Sequence, residues 1–172
     1  MPVGAKDAGT LAAVSQGLVD ALRARGWRLA TAESCTGGGV AHAVTAIPGS
    51  SDVLDRGFVT YSNEAKVEML GVPAETIARA GAVSEAVAAA MAEGALRASR
   101  ADVAVAITGV AGPGGGSPAK PVGTVCFAWA TREGLREART HHLAGDRSEV
   151  RAASVRLAID GVLALAKGEV RR

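Results

Sequence analysis

Aromatic side chains are scarce in this sequence: two Trp, two Phe and one Tyr among 172 residues. Val, Leu, Ile and many Ala must therefore do the packing, which favours helices lying close on a sheet. Base stacking, a usual device of nucleic-acid binders, has little to work with. Cysteine is scarcer still. Cys35 and Cys126 make no CxxC spacing, and two are too few for a disulfide framework. His42, His141 and His142 add no recognisable ligand set, so neither metal nor cofactor is expected. Charge of one sign is also missing. Lys+Arg number 19 against 17 Asp+Glu, a formal net charge of +2, with no basic run of five or more. No nucleic-acid partner is expected from that balance. No apolar run approaches the roughly 18 residues of a membrane span, and the opening MPVGAKDAGT has no apolar signal core. A cytoplasmic protein with no membrane partner is the expectation.

What is present is a 48% hydrophobic chain of a length that suits one domain. The whole of 1–172 is expected to be that domain, with about the first nine residues a flexible N-terminus. Leu11, Val14, Leu18, Val19 and Leu22 recur at helical spacing over 10–25, with Thr10 as N-cap and Gly26 as stop. A strand is expected over 27–32, then a Gly-rich turn opening a helix to about 47. A second strand over 56–62 leads into helices over 63–70 and 73–81, and Ser84 caps an Ala-rich helix to about 99. The run DVAVAIT (102–108) is apolar on both faces, as in a buried strand. Strands over 124–131 and 135–143 pair as a hairpin, and a helix over 147–167 closes the chain. Alternating strands and helices predict a three-layer α/β/α sandwich with a mixed, mostly parallel sheet.

Three segments carry candidate chemistry. Ser34 stands where a strand ends and a helix begins, followed by Thr36, Gly37 and Gly38. Backbone N–H groups at such a start are unpaired and can hold a phosphate or an oxyanion; the plainer alternative is that Ser34 is only an N-cap. Cys35 is a rival nucleophile with no His at an informative spacing. Lys66 lies one turn into the helix after Tyr61. Buried and neutral it can replace His as a base for serine; otherwise it is a solvated surface lysine. The strand ending at Thr108 runs into a Gly-rich loop that includes Gly112, the kind of place where open α/β sheets bind ligands. Arg147 and Arg151, one turn apart at a helix start, offer guanidinium groups to a phosphate or are ordinary surface arginines.

TAESCTGG (31–38), PGSSDVLDRGFVTYSNEAKVEMLGV (48–72), GAVSEAV (81–87), ITGVAGPGGGS (107–117), KPVGTV (120–125) and GDRSEVR (145–151) together resemble the C-terminal domain of the CinA (competence/damage-inducible) family. The match runs over nearly all of the chain after the first helix. The resemblance is strongest to stand-alone members, which hydrolyse nicotinamide mononucleotide to nicotinate mononucleotide and ammonia in NAD recycling. It implies Ser34 as nucleophile, Tyr61 and Lys66 as supporting polar and basic groups, and Ser51, Thr108 and Arg147 as pocket residues. N–H groups from Thr36 to Gly38 would receive the oxyanion. A homodimer or higher homo-oligomer is implied as well. The additional N-terminal domain of longer members is outside the resemblance. Two other classes stand beside it: a catalytically silent nucleotide- or partner-binding module of the same fold, and a nucleotidase, which the lack of paired Asp/Glu ligands disfavours.

Overall fold

The computed structural model describes residues 5–169, with side chains from Thr10 onward. The element order is α1 (Ala5–Arg25), β1 (Leu29–Glu33), α2 (Gly39–Thr45), a 3-10 turn (Ser50–Asp52), β2 (Leu54–Val59), α3 (Asn63–Leu70), α4 (Ala74–Ala80), α5 (Glu85–Arg97), β3 (Val103–Gly109), β4 (Thr124–Thr131), β5 (Arg136–His142) and α6 (Arg147–Ala166). The sheet order is β2-β1-β3-β4-β5. β1 pairs parallel with β2 and with β3, while β4 is antiparallel to both β3 and β5. Only β4 therefore runs against the other strands, which gives the expected α/β class with a mixed sheet.

Strand alternation sorts two cores of different texture. On one face Leu29, Val103, Val105, Ile107, Val125, Phe127 and Trp129 meet α1, α2 and α6. On the other, Ala30, Ala32, Ala104, Ala106, Ala128 and Ala130 meet the Ala-rich α5, with Leu70 and Val72 at the side. Small side chains on both partners let α5 lie close to the sheet. Gly161 serves the opposite face: a Cβ there would sit 2.3 Å from the Trp129 indole.

Several boundaries move. α1 spans Ala5–Arg25, so Thr10 lies inside the helix and not at the N-cap position expected for it. Of the segment expected to be flexible, residues 1–4 lie outside the described residues. The Gly-rich turn expected after the first strand occupies 34–38 and opens α2 at Gly39, while β2 runs over Leu54–Val59 where 56–62 was expected. α3 is as expected, capped by Ser62, which accepts from the Ala65 N–H, and Ser84 caps α5 through the Val87 N–H.

Candidate active site

β1 delivers Glu33 and Ser34 to its C-terminal end. The Ser34 N–H donates to Ile107 O at 2.9 Å, carrying the β1–β3 pairing one residue past the strand. The chain then turns through Gly37 (φ 58°) and Gly38 (φ 96°), left-handed positions that favour glycine. Glu33 is 1% exposed, and its carboxylate accepts from the Thr36 hydroxyl at 2.7 Å, the Val40 N–H at 2.8 Å and the Ala41 N–H at 3.1 Å. This carboxylate takes up the orphan donors and the positive dipole end of α2. Ser34 is thereby freed from capping, which removes the plainer alternative for it.

Lys66 points from α3 back to this turn. Its Nζ lies 3.1 Å from Ser34 Oγ, and the side chain is 1% exposed. Around Nζ stand the carbonyls of Thr60 at 2.9 Å, Tyr61 at 3.3 Å and Ser62 at 3.4 Å. Burial pushes the Lys66 pKa below the ordinary 10.5. A neutral amine has two hydrogens for these carbonyls and a lone pair for the Ser34 hydroxyl. Cys35 is driven the other way: burial pushes its thiol up to about 11, leaving it protonated and inert at neutral pH.

Ser34, Cys35, Tyr61, Asn63, Lys66, Thr108 and Arg147 line one cavity of about 200 Å³. The structure thus brings Ser34, Tyr61, Lys66, Thr108 and Arg147 together. The Tyr61 contribution differs from expectation. Its main-chain carbonyl faces Ser34 and Lys66, while its 62% exposed side chain accepts through Oη from Arg147 at 3.3 Å. Arg147 also donates to Gly112 O at 2.8 Å, so Gly112 reaches the site through its carbonyl. Thr108 Oγ1 donates to Ala82 O at 2.9 Å.

Other expected residues stand elsewhere. Ser51 is exposed in the 3-10 turn before β2, at the opposite end of that strand from Thr60 and Tyr61, because a parallel strand separates the two loops. Arg151 lines a different groove of about 510 Å³ between α1, α2 and α6, and donates to Cys35 O at 3.1 Å and Thr36 O at 3.4 Å. One turn along α6 carries it behind the turn that follows Ser34. Among the expected oxyanion donors, the Gly37 N–H is taken by Ser34 O at 3.0 Å. Thr36, Gly37 and Gly38 do not line the cavity, whereas Cys35 does. The α6 N-terminus is closed by a capping box between Asp146 and Glu149.

Glu33, Asn63 and the carbonyl cage of Thr60 to Ser62 escaped sequence reasoning. Glu33 left a signal: an acid at the end of a strand otherwise buried on both faces needs partners. The carbonyls left none. Among the described residues no three His, Cys, Asp or Glu converge as a metal set, and no helix is long and apolar enough to cross a membrane.

Residues 11–166 match the CinA C-terminal domain family. The chain belongs to that family. Nicotinamide-nucleotide amidohydrolase PncC of Escherichia coli (strain K12) is 58% identical over 138 residues, 80% of this chain and 84% of that protein. A longer CinA-like protein of Syntrophobacter fumaroxidans is 54% identical over 138 residues, which are 32% of its length. The crystal structure of the competence/damage inducible protein CihA from Agrobacterium tumefaciens shares the fold with a TM-score of 0.89 at 46% identity, covering 96% of this chain and 99% of that one. In this CinA C-terminal domain β1 lies between β2 and β3, with α2 on one face and α5 on the other. Ser34 sits at the carboxyl edge of that junction, where open α/β sheets place ligands.

Proposed function

We propose that this CinA C-terminal domain hydrolyses the carboxamide of nicotinamide mononucleotide to nicotinate mononucleotide and ammonia, in NAD recycling. The observation that carries the proposal is the buried 3.1 Å contact between Lys66 Nζ and Ser34 Oγ. The names of relatives at 55–58% identity supply the substrate.

Neutral Lys66 takes the Ser34 proton as Oγ attacks the carboxamide carbon. The carbonyls of Thr60, Tyr61 and Ser62 then hold the ammonium so formed. Neither the Cys35 N–H nor the Thr36 N–H meets an acceptor on another described residue; the Cys35 N–H, whose residue lines the cavity, receives the oxyanion, with the Thr36 N–H next along the turn as the second donor. Lys66 returns the proton to the departing amine and then activates the water that cleaves the acyl-serine. Tyr61 supports through its carbonyl and by placing Arg147, with no proton relay through the phenol. A cavity of about 200 Å³ is below the roughly 300–1,000 Å³ of pockets that enclose whole drug-sized ligands. The pyridine ring enters it, and the ribose phosphate stays at the mouth beside Tyr61 and Arg147.

Ammonia release from nicotinamide mononucleotide tests the proposal. Ser34→Ala should remove nearly all turnover, while Cys35→Ser should keep most of it. Turnover that survives Ser34→Ala would refute the nucleophile, and a wild-type protein that releases no ammonia would refute the substrate.

A further inference from the structure

Arg151 was expected at the substrate, yet its guanidinium lies behind the nucleophile turn and, among the described residues, bonds only to main-chain carbonyls. Nε donates to Cys35 O at 3.1 Å, and a terminal nitrogen donates to Thr36 O at 3.4 Å. A peptide unit is planar and trans, so holding its C=O fixes where its N–H points, on the opposite side. The Cys35 carbonyl shares its plane with the Thr36 N–H, which has no acceptor among the described residues. The Thr36 carbonyl shares its plane with the Gly37 N–H, which donates to Ser34 O at 3.0 Å. The Ser34 carbonyl in turn shares its plane with the Cys35 N–H, the other donor that meets no acceptor on another described residue. Both free N–H groups beside the nucleophile therefore belong to peptide planes anchored on Arg151, one directly and one through a single hydrogen bond. A cation on the carbonyl side also polarises each unit, making its N–H a better donor.

We infer that Arg151 is the positioning residue of the oxyanion site. It aims and polarises the Thr36 and Cys35 N–H groups without touching substrate. Glu33 braces the same turn through the Thr36 hydroxyl and the first N–H groups of α2. The turn is thus held by a cation on its carbonyls and an anion on its donors. This inference rests on Ser34 being the nucleophile proposed above.

A fluorophosphonate probe reads the oxyanion site without needing the amide substrate. Ser34 Oγ bonds to phosphorus, fluoride leaves, the proton passes to Lys66, and the phosphoryl oxygen carries the developing charge. Labelling of Ser34 is followed by intact mass. Losing one oxyanion donor costs roughly a hundred- to a thousandfold, so misaiming two that are still present should cost about ten- to a hundredfold. Arg151→Met should slow labelling and kcat by that factor while KM for nicotinamide mononucleotide stays near wild type. Arg151→Lys keeps the charge but not the two-pronged fork, and should fall between. Labelling at the wild-type rate in Arg151→Met, or in Arg151→Lys should the Met variant not fold, overturns the inference. So does a raised KM with unchanged kcat and labelling, which would put Arg151 on the substrate phosphate. A wild-type protein that labels at Ser34 but releases no ammonia sinks the proposed substrate and leaves Arg151 to be judged by labelling. A wild-type protein that does not label at Ser34 overturns both.

Discussion

A lysine buried to 1% exposure needs acceptors for its hydrogens, and Lys66 finds three carbonyls in consecutive residues, Thr60 to Ser62. That arrangement tolerates either protonation state, as the proposed base requires. Because burial lowers its pKa, the neutral, reactive form gains population as pH rises toward that value. Below it, kcat/KM should climb about tenfold per pH unit, levelling off at an apparent pKa under 10.5. A profile that still climbs at pH 10.5 would refute the shift. Lys66→Arg should lose turnover although charge is kept, since guanidinium does not deprotonate here; near-normal kcat would reduce Lys66 to a charge. Stability follows the same sign. Between the lowered folded pKa and 10.5 the unfolded chain binds the extra proton, so stability should rise with pH across that window. None of this was legible locally. By its own pattern Lys66 read rather as a surface lysine, because the carbonyls that bury it carry no side-chain code.

Helix α5 and strands β1, β3 and β4 show what small residues do at the scale of an element. The alternation of alanine with Val, Ile, Phe and Trp along these strands makes one face flat and the other deep. Gly161 completes the deep face by letting α6 reach Trp129, whose indole also donates to Ala158 O at 3.2 Å. Gly161→Ala therefore sets two effects against each other. Helix propensity alone would gain up to about 1 kcal/mol. A Cβ placed 2.3 Å from the indole overpacks the core, which costs about 1–3 kcal/mol. The clash should win and lower the urea midpoint with an unchanged m-value; a raised midpoint would mean that α6 moves freely off the sheet. Element type was readable from periodicity. The capping of α2 was not, because Glu33 accepts from its first N–H groups from outside the helix, at the end of β1.

Across the whole molecule, the loops after β1, β2 and β3 meet the start of α6 at one end of the sheet. This is why Ser34, Lys66, Thr108 and Arg147, scattered over more than a hundred residues, line one cavity. Arg147 closes its mouth by joining Tyr61 to Gly112. A charge-assisted contact to phosphate is worth roughly ten- to a hundredfold. Arg147→Ala should lower kcat/KM for the mononucleotide by that order and barely change any activity on the riboside. Equal losses on both would give Arg147 a role in holding the loops instead.

Composition and periodicity determined the α/β class, most element positions and the alternating faces, since each depends on residues near in sequence. The strings around Ser34, Lys66 and Arg147 likewise marked the segments that meet at the site. Which group of each residue acts was decided only by tertiary structure. Tyr61 offers its carbonyl where the phenol was expected, and Arg151 turns to the peptide planes of the turn after Ser34. Ser51 stays at the far end of β2. The physical reason is the same in all three. Backbone acceptors and the two ends of a strand look alike in sequence, and only the packing of α3 and α6 against the sheet distinguishes them.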